Sequence, residues 1–327
     1  KTAYEIYQCD WSSDVCSSDL EPLDPASITL ADFTVTNGTG TTVTGSGSTY
    51  TITTTATSDG AVSVTTSGSF SVADIAGNTR TAAGGSDRSV TYDTTAPTLT
   101  LQQAASQTDP TNGATIRFTL SANESLDAST IAADDFTVTG GGTPTITGSG
   151  ATYTITTTAS GDGAVTIAPA VGFLVRDVAG NAQTSAGGSD RAVTYDATAP
   201  TLTLVQAAGQ ADPAKNASIQ FTLTSNEPLD GTSVSASDFT VTNGSATSVS
   251  GSGTTFTVTT TAVADGPVII ALASGFSVAD TAGNTSTTAG GADRTVTYDA
   301  TAPSVSLQQA TGQIDPTRSE EHTSELQ

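Results

Sequence analysis

The chain has 327 residues, carries 9 Lys+Arg against 32 Asp+Glu for a formal charge of −23, and contains no Met. So acidic a chain repels nucleic acid and anionic membranes and attracts divalent cations. Val, Ile, Leu and Phe regularly interrupt the Thr, Ser, Gly, Ala and Asp background, which argues for folded domains and against a disordered acidic tract.

In chain order, residues 1–20 come first and fit no pattern found later; residues 318–327 share that property. Codons exist for Asp10–Leu20 and Arg318–Gln327 that make the two strings reverse complements of one another. Unrelated peptide tails have no reason to be complementary, so both ends are expected to be translated sequencing adapter and are set aside from fold reasoning. Both cysteines (Cys9, Cys16), the only Trp (Trp11) and the only His (His322) go with them. Residues 21–317 then have a charge of −18 and no Cys, His, Trp or Met. A disulfide framework, a thiol nucleophile, a Cys/His zinc site and a His general base are excluded there.

A period of 103 residues fills the remainder. Tyr-Asp-x-Thr-Ala-Pro occurs at Tyr92–Pro97, Tyr195–Pro200 and Tyr298–Pro303, and Asp-x-Ala-Gly-Asn begins at Asp74, Asp177 and Asp280. Glu-x-Leu-Asp begins at Glu21, Glu124 and Glu227, Asp-Phe-Thr at Asp32, Asp135 and Asp238, and Asp-Pro at Asp109, Asp212 and Asp315. One domain-sized unit has been copied in tandem. The expected division is a truncated repeat 21–93, complete repeats 94–196 and 197–299, and the start of another at 300–317. The first lacks its opening strands, including the counterpart of Ile116, Phe118 and Leu120, and is expected to be unstable alone.

Within 94–196, β-formers cluster or alternate at Thr98–Gln102, Thr115–Leu120, Phe136–Thr139, Thr145–Thr147, Thr152–Thr157, Ala164–Ala168 and Arg191–Tyr195. Gly148-Ser149-Gly150 and Gly161-Asp162-Gly163 mark turns, and Asp127–Asp135 has room for a short helical turn. Seven short strands in about 100 residues predict an all-β chain of tandem immunoglobulin-like sandwiches, arranged as an extended array. Antiparallel strands place loops 121–135, 148–151 and 177–190 at the end where the repeat begins. Loops 105–113, 140–144 and 160–163 fall at the other end. Pro97 holds the linker extended. The longest apolar run, about Val268–Ala273, is far too short to span a bilayer.

Acidic loop residues are the only candidates for chemistry. The geometry predicts one set of Asp59, Asp93, Glu124, Asp127, Asp177 and Asn181. Asp162, Asp196, Glu227, Asp230, Asp280 and Asn284 form a second. Carboxylates, amides and loop carbonyls are what Ca²⁺ requires, with six to eight oxygens at about 2.3–2.6 Å. The same residues are also favoured turn formers. Glycoside hydrolysis by paired carboxylates is disfavoured, because the acids recur in each repeat without an aromatic cleft. No Gly-Lys-Ser/Thr follows the Gly-rich strings. The pairs Asp87-Arg88, Asp190-Arg191 and Asp293-Arg294 are expected to form local ion pairs. Asn37-Gly38-Thr39 and Asn243-Gly244-Ser245 match glycosylation acceptors, although Asn-Gly is foremost a turn dipeptide.

Asp93–Pro97, the Asn-Glu-Pro-Leu-Asp loop Asn226–Asp230 and the loop Asp177–Asn181 together resemble the bacterial immunoglobulin-like repeats of large secreted or surface proteins. That resemblance implies a stalk or spacer of a non-enzymatic, adhesin-like protein, extracellular or on the bacterial surface, with calcium between repeats. Neighbouring repeats of the same chain are then the first partners, with a cell-surface or glycan ligand beyond them and no nucleic acid or membrane insertion. Two other readings stay open. One is a binding module whose Thr-rich strands (Thr51–Thr55, Thr154–Thr158, Thr257–Thr261) touch glycan, ice or another cell. The other is an accessory region of a secreted polysaccharide-active enzyme.

Overall fold

A computed structural model describes residues 2–5, 21–85 and 88–313. The adapter-like strings Asp10–Leu20 and Arg318–Gln327 lie outside them, as does Asp87. The chain divides into two compact units, Lys1–Tyr195 and Asp196–Gln327. No helix among the described residues is long and apolar enough to cross a membrane.

The second repeat, in the first unit, shows the architecture most fully. One sheet runs in the order Thr145–Ser149, Thr152–Thr158, Thr115–Ala122, Leu99–Gln103. The other runs Phe136–Thr139, Gly163–Pro169, Ala192–Tyr195. Four strands facing three in this connectivity is the constant-type immunoglobulin sandwich. Side chains on a strand point to alternate faces, so Ile116, Phe118 and Leu120 are all buried while Arg117 is exposed. They meet Tyr153 and Ile155 from the next strand and Val165, Ile167 and Val193 from the facing sheet. Phe136 and Phe173 pack edge to face with centroids 5.9 Å apart. Gly148 (φ 136°) permits the turn between Thr145–Ser149 and Thr152–Thr158: a Cβ there would lie 2.4 Å from the Thr152 carbonyl oxygen.

The long loop expected before the last strand contains a small hairpin of its own, Val175–Arg176 with Ala182–Gln183. The helical turn expected in 127–135 is two 3₁₀ turns, Ala128–Thr130 and Ala133–Asp135. Loops gather as antiparallel geometry requires: Leu126 N–H donates to Gly150 O and Val178 N–H to Ser125 O at one end, Ser160 N–H to Gly140 O at the other.

The third repeat, in the second unit, follows the same strand order, with the first two strands of the larger sheet fused into the continuous strand Gly244–Ala262 and Ala289–Gly290 added in parallel at the opposite edge. The first repeat keeps the sheet Phe33–Thr36, Gly60–Thr66, Ser89–Tyr92. Its other sheet holds a surprise. The backbone of Thr2–Glu5, within the tail set aside above, pairs with Thr51–Thr54, in register with the place that Ile116–Thr119 occupy in the second repeat. An open sheet edge presents unpaired N–H and C=O groups to any extended segment within reach. A purely repeat-based reading could not foresee that pairing.

Candidate metal centres

The loop Asp177–Asn181 builds itself. Asp177 is 1% exposed; its Oδ1 accepts from Asn181 N–H at 2.9 Å and its Oδ2 from Asn181 Nδ2 at 2.8 Å. Burial pushes this carboxyl up, but the Asn181 side chain and the N–H groups of Asn181, Gly180 and Ala179 outweigh it and hold the acid below its ordinary range. The third repeat copies the turn: Asp280, 2% exposed, accepts from Asn284 N–H and Nδ2, both at 2.9 Å. Asp74 and Asn78 make it in the first repeat as well, at 2.8 and 2.7 Å. The turn is therefore intrinsic to the motif.

Two further acids converge on it. Leu126 bridges Asp177 across the loops, which brings Glu124 close. Asp93 follows the strand Ser89–Tyr92, and its carbonyl oxygen accepts from Asn181 Nδ2 at 3.2 Å. Carboxylate oxygens of Asp93, Glu124 and Asp177 all lie within 4.8 Å of one another, and those of Asp196, Glu227 and Asp280 do the same. Asn284 Nδ2 likewise donates to Asp196 O at 2.8 Å.

The glutamates carry the electrostatic cost. Burial pushes Glu124 up, and the charges of Asp93, Asp177 and Asp59 push it further. Glu227 is raised by burial, Asp196 and Asp280, partly offset by a hydrogen bond from Asn226. Glu227 Oε1 is buried with no hydrogen-bond partner. A buried anionic oxygen without a donor is unfavourable unless a cation meets it. Each cluster offers hard oxygen ligands and can hold a metal ion of the Ca²⁺ or Mg²⁺ kind.

Asp127, Asp230, Asn181, Asn284 and Asp59 each have a role beside these triads. Asp127 and Asp230 cap the 3₁₀ turns that follow them. Asp127 Oδ1 accepts from Ser129 N–H and Oγ at 3.0 and 2.7 Å, and Asp230 Oδ1 from Thr232 N–H and Oγ1 at 2.9 and 2.8 Å. Asn181 and Asn284 aim their amide nitrogens at the aspartates, which makes them positioning groups. Asp59 accepts from Thr94 N–H and Oγ1 at 3.0 and 2.8 Å and from Thr95 Oγ1 at 2.5 Å. It clamps the linker and reaches Glu124 only as a more distant charge. Asp162 occupies the equivalent turn of the second repeat and is exposed.

Sequence reasoning passed over Asp265, which accepts from Ala300 N–H at 2.9 Å and from Thr301 Oγ1. Its phase, two periods beyond Asp59, was the available signal. At Arg191 and Arg294 the guanidinium turns to backbone carbonyls, whereas the Asp87-Arg88 pair involves a residue outside those described. Arg191 donates through Nη2 to the carbonyls of Ala186 and Gly187 and through Nε to Leu101 O at 3.2 Å, tying the last loop to the first strand. Asn37 and Asn243 have φ of 56° and 58°. Their Nδ2 groups donate across the turn to Ser58 O and Ala264 O, both at 2.7 Å, so both asparagines serve as turn residues.

No protein-family model matches the sequence, and neither does any curated protein. Among solved structures, the Escherichia coli adhesin FdeC aligns over 86% of this chain and 87% of its own, at 17% identity and a TM-score of 0.33. Invasin, a bacterial integrin-binding protein, aligns over 82% of this chain and 56% of its own, at 16% identity and a TM-score of 0.32. The I9–I11 tandem of titin aligns over 89% and 93%, at 10% identity and a TM-score of 0.21. The immunoglobulin-like assignment rests on strand order and not on these likenesses.

Proposed function

We propose that this chain is a spacer segment of an extracellular or bacterial cell-surface, adhesin-like protein, without enzymatic activity, whose linkers are fixed by Ca²⁺. Asp93, Glu124 and Asp177 would hold one ion, and Asp196, Glu227 and Asp280 another. The observation that carries this reading is the triad itself, made from one linker residue and two loops and repeated at the 103-residue step. Its parts respond differently to a cation. The Asp-x-Ala-Gly-Asn turn forms in all three repeats, whereas Asp93 and Glu124 meet only across a linker. An ion bridging them therefore stabilises the linker and adds little to the turn. The adhesin-like setting is supported by the resemblance of Asp93–Pro97, Asn226–Asp230 and Asp177–Asn181 to bacterial surface repeats. The repeat units 94–196 and 197–299 are part of the same proposal.

Calorimetric melting of the full chain in Ca²⁺ and in chelator tests it. The expected result is a higher melting temperature in Ca²⁺, with slower hydrogen exchange at Thr94 and Thr95. Identical melting and exchange in the two conditions would rule the ion out.

A further inference from the structure

Asn-Gly pairs stand at Asn37-Gly38, Asn112-Gly113 and Asn243-Gly244. Each brings a side-chain amide next to a backbone nitrogen that no Cβ screens. Such a pair can react within itself: the glycine nitrogen attacks the amide carbon, Cγ, and closes a cyclic imide. The fold treats the three pairs differently.

Asn37 and Asn243 are locked. Asn37 Nδ2 donates to Ser58 O at 2.7 Å, and its Oδ1 accepts from the Thr57 and Ser58 hydroxyls, both at 2.8 Å. Asn243 Nδ2 donates to Ala264 O at 2.7 Å, and its Oδ1 accepts from Ala264 N–H at 3.1 Å. Their backbone carbonyls also accept, from Thr57 N–H at 3.2 Å and from Val263 N–H at 3.1 Å. The glycines are walled in. A Cβ on Gly38 would lie 2.5 Å from Thr54 Oγ1, and one on Gly244 2.5 Å from Val241 Cγ1. Turning either amide onto the next nitrogen would break these bonds and drive the glycine into its neighbours.

Asn112 has none of these restraints. It and Gly113 are exposed, in the loop between the strands Leu99–Gln103 and Thr115–Ala122. The Asn112 amide makes no hydrogen bond to the described residues. A Cβ on Gly113 would meet only Thr111 Oγ1, at 3.4 Å. Gly113 N–H donates to that same hydroxyl at 3.1 Å. A threonine hydroxyl can turn to donate as well, so the nitrogen keeps a partner once its proton is gone. The third repeat has Lys215-Asn216 in place of this pair, and Ala217 follows Asn216.

We propose that Asn112 is a modification site, deamidating spontaneously through an imide with Gly113 while Asn243 is protected by the fold. Hydroxide takes the Gly113 proton, the bond from Gly113 N to Asn112 Cγ forms, and the bond from Cγ to Nδ2 breaks. The leaving nitrogen takes a proton from water and departs as ammonia. Water then opens the imide at either carbonyl, leaving aspartate, or isoaspartate with the main chain rerouted through Cγ. Both products add a negative charge. The second also lengthens the chain by a methylene just beyond Thr111, whose N–H donates to Thr194 O at 3.0 Å and which bridges Tyr195. The modification therefore falls where this loop is tied to the last strand of its repeat.

Incubation of the full chain in mildly alkaline buffer, with digestion and mass-spectrometric mapping over time, tests the site. In the folded chain the peptide containing Asn112 is expected to gain the mass of an amide-to-acid change several-fold faster than the peptide containing Asn243. It should also split into two chromatographic products, aspartate and isoaspartate. In denaturant the two peptides should convert at similar rates, because the bonds that hold Asn243 are gone. Gly113→Ala places a methyl that the loop accommodates, and it should slow conversion at Asn112 several-fold. Conversion of Asn243 as fast as Asn112 in the folded chain overturns the proposal. So does conversion at Asn112 that Gly113→Ala does not slow.

Discussion

The first and second repeats share their motifs and differ in how far the core is closed. Val90 and Val193 are equivalent residues on equivalent strands, one 36% exposed and the other 0%. What separates them is the edge of the opposite sheet, where Leu99–Gln103 covers the second core and no described strand covers the first. In this sandwich the inner strands alone do not complete burial. The opening strand, anchored by Leu99, Leu101 and the Arg191 clamp, performs that closure.

Removing the closure from the second repeat is the most severe way to break the comparison. Leu101→Ala is expected to destabilise that repeat by about 2–5 kcal/mol, the usual range for a buried Leu. Chemical denaturation with residue-resolved hydrogen exchange would read the loss, and exchange at Val193 should approach that at Val90. A paired valine truncation comes next. Val193→Ala should cost about 1–3 kcal/mol and Val90→Ala well under about 1 kcal/mol, since the latter side chain is already wet. Equal costs in the two repeats would contradict the assignment of closure to the opening strand.

The acidic clusters sharpen the comparison, because the first repeat has the Asp74–Asn78 turn without the triad described at the other two. Glu124→Gln removes a charge held in an unfavourable place, so the metal-free chain should melt slightly higher while its Ca²⁺ response at that cluster disappears. The pH dependence has two opposite signs. Burial and neighbouring acids raise Glu124 and Glu227, so folding is penalised above their folded pKa values and the penalty fades as pH falls through them. Protons compete with Ca²⁺ over the same interval, so the melting shift between Ca²⁺ and chelator should shrink there. Asp59, depressed by the Thr95 and Thr94 hydroxyls, and Asp265, depressed by the Thr301 hydroxyl and the Ala300 N–H, behave oppositely. Their stabilisation is present above the unfolded carboxylate pKa and is lost as pH falls through the depressed folded values. Acid titration should therefore abolish the calcium response first and loosen the linker clamp later. The smallest expected effect is that of Asp127→Ala, which removes the cap of a 3₁₀ turn, so a small loss of thermal stability is expected with Ca²⁺ binding unchanged.

The main strands and the loop clusters could be read from the chain because period, alternation and turn residues agree along the seven strands of the second repeat, whereas the hairpin Val175–Arg176 with Ala182–Gln183 is too short to show a period. The convergence of Asp93, Glu124 and Asp177 could be anticipated from chain direction alone. Asp127 and Asp230 could not be told from ligands, since an acid beside Glu124 or Glu227 satisfies either role. The hint lay two residues on, where Ser129 and Thr232 offer the N–H and hydroxyl of a capped turn. Arg191 was misread because adjacency to Asp190 suggested an ion pair, while the fold places three backbone carbonyls within its reach. The pairing of Thr2–Glu5 with Thr51–Thr54 follows from an open edge, which a repeat pattern does not encode.

The most direct test of the central claim is a calorimetric Ca²⁺ titration of the full chain beside the Glu124→Gln/Glu227→Gln double variant. The account predicts saturable binding at two sites in the wild type, one per acidic cluster, and its loss in the variant. Equal binding by both proteins, or none by the wild type, would contradict it.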